Sequence, residues 1–236
     1  MSLSPQAREA LQKVSSATLT TVLFKRGFRN VFVQGVFLLN KAAPRMVGEA
    51  YTLRYIPARE DLDQLGAFEG RGHPQREAIE ACPPGQVLVM DARRDASAAT
   101  GGDILMTRLM VRGAAGIVTD GGLRNSPTIE RLPWPAYCAA RSAPLNLVRH
   151  HAIDSQVPIG CGGVAVYPGD VVVGDAEGVV VIPAGIAGEV AQEAAAQTVF
   201  EDWVEDRVKE GRSIFGLYPP DEKTWQEFQD WKKSKC

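Results

Sequence analysis

The chain has 236 residues, of which 45% are hydrophobic and 23% charged, and its formal net charge is −2. This composition is typical of one large globular domain, and the nearly balanced charge gives no electrostatic basis for binding nucleic acid or an anionic membrane. The sequence has no apolar run as long as a membrane span and no apolar signal-peptide core at its start, so we expect a cytoplasmic protein.

The cysteines are scattered and form no CxxC pair; they are Cys82, Cys138, Cys161 and Cys236. Zinc sites and disulfide frameworks use closely spaced or paired cysteines. We therefore expect buried apolar residues or free thiols in a reducing compartment.

The N-terminal third predicts helices followed by strands. Apolar residues at helical spacing indicate a helix over 4–25, broken over 15–18, where a hydroxyl group would cap the second half. Alternating or β-branched runs predict strands, and a short helix precedes a further buried strand. These later elements cover 31–39, 46–56, 75–82 and 86–91.

The stretch 100–135, TGGDILMTRLMVRGAAGIVTDGGLRNSPTIERLPWP, organises the rest of the chain. It predicts a helix over 104–112 that ends at a glycine, and then a buried strand over 114–119. Loops held by such a scaffold are where binding groups concentrate. The polar residues on these loops are Asp103, Asp120, Arg124 and Asn125.

The C-terminal third predicts a valine-rich hairpin over 171–182 and a long helix over 187–209. A last helix over 222–232 is too small to bury its own core. Trp203, Trp225 and Trp231 must therefore pack on the body or on a neighbouring subunit. Together the elements predict an α/β or α+β domain with a mixed sheet.

Arg124 offers a fork of donors that matches a carboxylate group, so it is a natural anchor for a small acid. A salt bridge to Asp120 explains the same residue equally well. Asp103 suits a hard cation such as Mg²⁺ or Mn²⁺, although a helix N-cap is the better interpretation of its residue type.

The histidines are less informative. The adjacent His150 and His151 are interpreted as surface or loop residues, and His73, in a glycine-rich segment, is a candidate loop residue near a ligand. From the residues alone, we expect a small-anion site that could also take a divalent metal.

The run GGDILMTRLMVRGAAGIVTDGGLRNS resembles the RraA-like family, together with PPGQVLVMD at 83–91 and VYPGDVVVGDAEGVVVIP at 166–183. That family contains the metal-dependent 4-hydroxy-4-methyl-2-oxoglutarate aldolases and the regulator of ribonuclease activity A. The resemblance extends over about 14–211, and its motifs are specific as a group.

The resemblance implies a fold and an assembly. The fold is an α/β domain of the β/β/α swivelling type (phosphohistidine-like) with a mixed sheet. The catalytic domain would cover 1–211, and 212–236 would form a C-terminal helical extension that packs on the body or on a neighbouring subunit. The family assembles as trimers or hexamers with active sites between subunits.

The resemblance also implies a site for a 2-oxo acid. The family's G-D-x-L loop lies over the bound pyruvate, its aspartate helps to hold the water shell of the metal, and the pyruvate carboxylate binds an arginine. A carboxylate on the C-terminal helix of a neighbouring subunit completes the site. The matching positions are Gly102, Asp103, Ile104 and Leu105 for the loop, Arg124 for the arginine, and Glu201, with Asp202 as second choice, for the carboxylate.

The implied reaction is class II aldol cleavage of a 4-hydroxy-2-oxo acid to pyruvate and an aldehyde or oxo acid, without a lysine. A bound Mg²⁺ or Mn²⁺ would stabilise the pyruvate enolate as a Lewis acid, and oxaloacetate decarboxylation would follow from the same enolate. His73 and Arg71 are candidates for contacts at the aldehyde end. The substrate is left open between a 2-keto-3-deoxy sugar acid and a methyl-oxoglutarate.

One position departs from the family pattern, which is Arg-Asp with the aspartate bound to the metal. This chain has Arg124-Asn125. An asparagine oxygen can ligate a hard cation but brings no negative charge, so we expect a lower metal affinity. A natural variant with altered metal use, a change introduced at this position and a relative without aldolase chemistry would each explain it.

The segment after residue 212 resembles an extension that the aldolases carry and the shorter ribonuclease regulators lack. This favours a metal-dependent pyruvate aldolase, a carbon–carbon lyase acting on a small 2-oxo acid. The alternative is a non-catalytic, protein-binding regulator of ribonuclease activity, which Asn125 favours.

Overall fold

The computed structural model of the protein describes residues 3–235. Within this range the helices are α1 (Pro5–Leu11), α2 (Ser16–Lys25), α3 (Pro74–Ala81), α4 (Asp103–Val111), α5 (Ser126–Ile129), α6 (Ala187–Lys209) and α7 (Glu222–Lys235). The strands are β1 (Phe37–Leu38), β2 (Met46–Pro57), β3 (Val87–Asp91), β4 (Ala99–Gly101), β5 (Gly116–Thr119), β6 (Gly122–Leu123), β7 (Ala136–Cys138), β8 (Ala140–Arg141), β9 (His150–Ser155), β10 (Ile159–Cys161), β11 (Val164–Val166), β12 (Val171–Gly174) and β13 (Val179–Ile182).

The two N-terminal helices begin at serine caps. The Ser4 side chain accepts a hydrogen bond from the Ala7 amide at 3.2 Å, and the Ser15 hydroxyl accepts one from the Thr18 amide at 3.0 Å. Each cap satisfies an amide that would otherwise lack an intrahelical partner. The predicted break in the first helical run is confirmed.

An eight-stranded mixed sheet forms the centre, in the order β1-β7-β5-β3-β2-β12-β13, with β9 also paired to β2. β2, β3, β5 and β7 run parallel, whereas β12 and β13 form the predicted antiparallel hairpin. The long strand β2 pairs with β12 through its first half and with β9 through its second half. The predicted mixed sheet is therefore confirmed.

The parallel strands are buried on both faces, as their continuous apolar sequences indicate. In β3, Leu88 and Met90 pack in the cluster formed with α3 and α4, whereas Val87 and Val89 pack in the cluster with β10 and β11. A third apolar cluster joins α1, α2 and α6 to the valine hairpin. These layers hold the ends of β3 and β5 in fixed positions.

Two predictions about local structure are wrong. The strand predicted over 31–39 is interrupted, because Gly35 turns the chain with a φ of +76° and only Phe37–Leu38 form a strand after it. His150 and His151 begin strand β9 rather than lying in a loop, and His150 is fully buried. His150 is in contact with its neighbours: its ring lies 3.2 Å from an Arg93 guanidinium nitrogen and 3.3 Å from the Ala98 carbonyl oxygen.

The C-terminal helix α7 packs on the second half of α6. Phe200, Trp203 and Phe228 are buried there with ring centroids between 5.1 and 6.1 Å apart, and Trp231 packs against them. Trp225 stays about half exposed. The extension therefore packs on α6 through a small aromatic cluster that is separate from the three clusters of the main sheet.

The observed architecture is a mixed α/β fold. Its finer assignment to the β/β/α swivelling type stays a prediction, as does the division into 1–211 and 212–236. Among residues 3–235, the helices are each too short or too polar to cross a membrane. Cys82, Cys138 and Cys161 are buried and unpaired as expected, and Cys236 lies outside the described residues.

Candidate functional site

A small parallel sheet, β4-β6-β8, brings the two loops of the central stretch together. Its register places Gly101 opposite Leu123, and the Arg124 amide donates to the Gly101 carbonyl oxygen at 3.0 Å. The residues that follow each strand are consequently neighbours: Gly102 and Asp103 lie beside Arg124 and Asn125. Pairing between strands whose matched residues, Gly101 and Leu123, are 22 positions apart in sequence builds this part of the site.

The loop that leads into α4 is held rigidly by buried hydrogen bonds to Thr100. Its carbonyl oxygen accepts from the Gln75 side-chain nitrogen at 2.5 Å and from the Tyr55 hydroxyl at 3.2 Å. Its hydroxyl bonds the Thr119 hydroxyl at 3.0 Å. Because all of these groups are buried, the start of α4 has little freedom to move.

Helix α4 begins at Asp103, one residue earlier than predicted, and Gly102 is its N-cap. The interpretation of Asp103 as the N-cap is therefore wrong by one position. The amide groups of its first turn, at residues 103–105, have no intrahelical acceptor and carry the positive end of the helix dipole. This turn contains the predicted substrate contacts Ile104 and Leu105.

Asp103 and Asn125 form a direct pair, in which the Asn125 Nδ2 donates to Asp103 Oδ1 at 2.8 Å. Asn125 has a left-handed backbone, with φ 53° and ψ 36°, a conformation that asparagine and aspartate adopt more readily than most residues. It also caps α5. The pair places one carboxylate and one amide at the mouth of the Arg124 loop.

The alternative of a salt bridge between Arg124 and Asp120 is wrong. Asp120 is buried and accepts backbone hydrogen bonds from Ala92 at 2.6 Å, Arg94 at 3.1 Å and Gly162 at 3.0 Å. Burial raises the pKa of its carboxyl group, and these bonds to the backbone oppose that rise. Asp120 thus ties three loops together, and Arg124 is left to face the cavity.

A cavity of about 420 Å³ opens beside these loops, within the usual size range of small-molecule sites. Its wall contains the predicted residues Gly102, Asp103, Ile104, Leu105, Arg124 and Asn125. The other lining side chains belong mainly to the segment around α3 and to the turn before β9. They include Leu65, Phe68, Gln75, Arg76, Leu145 and Asn146.

The sequence alone does not identify this second group of lining residues. Leu65 and Phe68 belong to a short 3-10 turn in a segment with no clear pattern, and Arg76 lies on a helix predicted only as an element. Asn146 lies in another short turn. No local signal joins these positions, because only the tertiary fold brings them to one cavity.

The predicted residues His73 and Arg71, and Glu201 with its second choice Asp202, are not on the cavity wall in this chain. His73 packs behind Phe68, with ring centroids 4.9 Å apart, and is not on the cavity wall. Glu201 lies on α6, where it accepts from the Thr18 hydroxyl at 2.7 Å and the Tyr218 hydroxyl at 3.2 Å. A role for Glu201 in the site of a neighbouring subunit stays a prediction, as does a contact between His73 and substrate.

Asp103 and Asn125 fit a hard cation as a partial set of donors. They offer one carboxylate and one amide oxygen, and Mg²⁺ typically binds one or two carboxylates and keeps several waters. Within residues 3–235, no group of three or more His, Cys, Asp or Glu side chains could hold a metal ion together. Waters, substrate or another chain would have to complete the coordination.

Comparison with known proteins bears on this site. Residues 14–181, the part that builds the sheet and the cavity loops, match the RraA-like family, described as Aldolase/RraA. The chain belongs to the RraA-like family. Its assignment from the motifs of the central stretch is thereby confirmed.

Relatives of this RraA-like chain include proteins provisionally named 4-hydroxy-4-methyl-2-oxoglutarate aldolase. One from Halalkalibacterium halodurans is 39% identical over 119 residues, which is 50% of this chain and 56% of that protein. One from Xanthomonas campestris is 32% identical over 115 residues, covering 49% of this chain and 69% of that protein. The chain thus spans little more than half the length of the Halalkalibacterium relative.

A solved RraA-like structure matches more of the chain. Streptomyces coelicolor RraAS2, described as an unusual member of the RNase ES inhibitor RraA protein family, is 30% identical with a TM-score of 0.77. The match covers 87% of this chain and 98% of that chain. The family therefore contains relatives with names of both kinds, aldolase and ribonuclease inhibitor.

Proposed function

We propose that this RraA-like protein is a metal-dependent aldolase that cleaves a 4-hydroxy-2-oxo acid to pyruvate and an aldehyde or oxo acid. The observation that carries the proposal is the position of Arg124. Arg124 lines the cavity without an acidic partner among residues 3–235, together with the first turn of α4 and the Asp103–Asn125 pair. The aldolase names of the Halalkalibacterium and Xanthomonas relatives support the same proposal.

Arg124 and α4 would bind the carboxylate of the 2-oxo acid. The guanidinium can form two parallel hydrogen bonds to a carboxylate, and the amides of residues 103–105 favour an anion at the helix N-terminus. Gly102 has no side chain, so the Arg124 side chain can pass close to the backbone at the start of α4. The bound acid would then present its 2-oxo group and C3–C4 bond toward Asp103.

Asp103 is suited to move the proton of the C4 hydroxyl group. Its Oδ1 is occupied by Asn125, whereas Oδ2 has no hydrogen-bond partner within residues 3–235. Removal of the hydroxyl proton, directly or through a water, breaks the C3–C4 bond and leaves its electron pair on C3. Protonation of C3 then gives pyruvate, and C4 leaves as the carbonyl product.

Asn125 would bind Mg²⁺ or Mn²⁺ and Asp103 would help to hold the water shell of the ion, with Glu201 of a neighbouring subunit as a third contributor in a trimer or hexamer. Such an ion supplies Lewis-acid stabilisation of the negative charge that develops on the 2-oxo group. The same charge develops in oxaloacetate decarboxylation, which we propose as a side activity. Asn125 brings no charge, so we expect weak binding of the ion.

A second function has a specific observation in its favour. RraAS2, which matches nearly its whole length to this chain, is described as a member of an RNase inhibitor family. Because Asn125 replaces the aspartate of the aldolase pattern, a protein-binding regulator without catalysis is the alternative. Such a regulator would bind a protein partner and would not convert a substrate in the cavity.

The test is pyruvate release, measured with a coupled lactate dehydrogenase assay. The substrates are a panel of 4-hydroxy-2-oxo acids and oxaloacetate, each with Mg²⁺, with Mn²⁺ and with EDTA. We expect turnover that EDTA abolishes and that Arg124→Ala reduces by about 100-fold or more, because the carboxylate loses a charged hydrogen-bond partner. Arg131→Ala, an exposed arginine outside the cavity lining, is the control.

Two results would contradict the proposal. Unchanged pyruvate release in Arg124→Ala would mean that the site is assigned wrongly. No release from the wild-type protein or from Asn125→Asp, with either metal, would favour the regulator instead.

A further inference from the structure

We propose that Arg76, Phe68 and Asn146 form a second subsite that binds an anionic group on the half of the substrate that does not become pyruvate. This inference rests on the proposed function and narrows its substrate class. The preferred substrates would be 4-hydroxy-2-oxo acids with a further carboxylate or phosphate group, rather than neutral polyhydroxy acids.

The first support is the state of Arg76. Arg76 is an exposed residue that lines the same cavity as Arg124, and it forms no ion pair with an acidic residue within residues 3–235. On the neighbouring helix α4, by contrast, Arg108 pairs with Glu80 at 2.8 Å, and Arg112 lies 3.6 Å from the same carboxylate. Among residues 3–235, Asp103 is the one acidic residue that lines the cavity, and it pairs with Asn125.

The second support is that Arg76 is held in place by an aromatic ring. Its guanidinium carbon lies 4.7 Å from the centroid of the Phe68 ring, a cation–π contact. His73 packs on the same ring and fixes its position. A guanidinium stacked on an aromatic ring can still donate hydrogen bonds from the N–H groups at its edge. Because the ring already restricts the side chain, the arginine loses little conformational entropy when a ligand binds.

The charge at this position comes from Arg76 and not from the neighbouring imidazole. Burial lowers the pKa of His73, and the nearby Arg76 and His151 lower it further, while Asp63 opposes this. His73 is therefore neutral near pH 7. Asp63 is hydrogen-bonded to His151 at 2.8 Å and forms no ion pair with Arg76 within residues 3–235.

The third support is Asn146. This residue is 6% exposed, lines the cavity, and has a buried Nδ2 group with no acceptor. A buried amide without a partner is costly and uncommon in native proteins. An anionic oxygen in the cavity would give this donor an acceptor.

Four apolar side chains, Leu65, Ile104, Leu105 and Leu145, also line the cavity. A cavity of about 420 Å³ is far larger than a three-carbon acid requires. Arg76 and Arg124 come from different elements, α3 and the end of β6, and each can bind one anionic group of a single ligand. A neutral hydroxylated chain would leave Arg76 without an anion to bind.

The test compares ligands that differ in one group and cannot be cleaved. 2-Oxoglutarate carries the second carboxylate, 2-oxopentanoate lacks it, and 4-phosphono-2-oxobutanoate replaces it with a phosphonate. Their dissociation constants are measured by isothermal titration calorimetry with Mg²⁺ present. The proteins are the wild type, Arg76→Gln, Asn146→Leu, Arg124→Gln and, as a matched control that removes a neighbouring paired charge, Arg108→Gln.

We expect the wild type and Arg108→Gln to bind at least one of the two dianions about 10-fold more tightly than 2-oxopentanoate, as one charged hydrogen bond would give. The tighter dianion identifies the group as carboxylate or phosphate. Arg76→Gln should remove the preference for the dianion without raising the dissociation constant of 2-oxopentanoate. Asn146→Leu should reduce this preference. Arg124→Gln should weaken all three ligands.

Equal binding of the three ligands by the wild type would overturn the subsite, as would an Arg76→Gln protein that keeps the preference. The readout needs no turnover. Failure to release pyruvate would therefore contradict the aldolase proposal while leaving the discrimination between ligands intact, so the two proposals can fail separately.

Discussion

The Arg124 side chain occupies the space that a side chain at residue 102 would need. A Cβ atom added to Gly102 would lie 2.9 Å from Arg124 Cγ and 3.4 Å from its Cδ. The backbone of Gly102, with φ −132° and ψ 178°, is one that any residue can adopt. Glycine is therefore required here by the close approach of the arginine rather than by backbone conformation.

Gly102→Ala should displace the Arg124 guanidinium with little effect on folding. We expect kcat/KM for pyruvate release to fall by about 10-fold or more, because the carboxylate anchor is misplaced, while the melting temperature changes by only a few degrees. In an Arg124→Ala background the same substitution should cause no further loss. Gly185→Ala, where an added Cβ meets open space, is the control.

Asn125→Asp should strengthen metal binding. It replaces the amide that donates to Asp103 with a second carboxylate, and hard cations bind more tightly as ligand charge increases. We expect the Mn²⁺ dissociation constant, from electron paramagnetic resonance of free Mn²⁺, to fall by about 10-fold or more. Without metal, repulsion between the two carboxylates should lower the melting temperature.

Asn30→Asp adds the same charge at an exposed position outside the cavity lining and should leave Mn²⁺ affinity unchanged. Equal Mn²⁺ affinity in Asn125→Asp and the wild type would show that residue 125 does not contribute to a cation site.

His150 should make stability depend on pH. Burial lowers the pKa of its imidazole in the folded protein, the Ala98 carbonyl opposes this, and Arg93 lowers it further. The unfolded chain takes up a proton near pH 6.5, before the folded chain does, so stability rises with pH in this window. The contribution is complete above about pH 6.5 and is lost as the pH falls toward the folded pKa.

This effect can be measured as the urea midpoint at pH 7.5, 6.5 and 5.5. His150→Gln should flatten the dependence by at most about 1.4 kcal/mol per pH unit, and His73→Gln should add to this because its pKa is also lowered. Asp95, whose pKa is lowered to about 2, loses its contribution only below its usual range near 3.8 and does not interfere. If the urea midpoint changed with pH equally in the wild type and in the His73→Gln/His150→Gln double variant, the two histidines would not be the source of the pH dependence.

Phe228→Ala should release the C-terminal extension while the main domain stays folded. Phe228 is buried against Phe200, Trp203 and Trp231. Loss of this ring reduces the free energy that holds the extension on α6 by about 3–5 kcal/mol, and a short exposed helix is too weakly stable to compensate for that loss. Limited trypsin digestion should then cut at Lys223 or Lys232 and leave a stable core fragment.

Trp225→Ala, at a half-exposed ring, should stay much more resistant to this cleavage. A single cooperative loss of the whole fold in Phe228→Ala would contradict the division of the chain near residue 211.

The sequence by itself determined the local elements and the family. Serine caps and apolar spacing located α1 and α2, the continuous apolar run before Asp91 located β3, and the glycine-flanked motif around Asp103 and Arg124 identified the RraA-like family. These features depend on neighbours within a few residues, where helical and strand periodicity and capping act.

Only the tertiary structure decided which polar groups face the cavity. Asp120 and Arg124 are four residues apart in sequence. The Asp120 carboxylate accepts hydrogen bonds from three backbone amides, whereas Arg124 lines the cavity. Arg76 and Asn146 lie far from the motif in sequence and reach the same cavity through the packing of α3 and the turn before β9. Long-range pairing of strands and helices sets these distances, and no local pattern of residues contains that information.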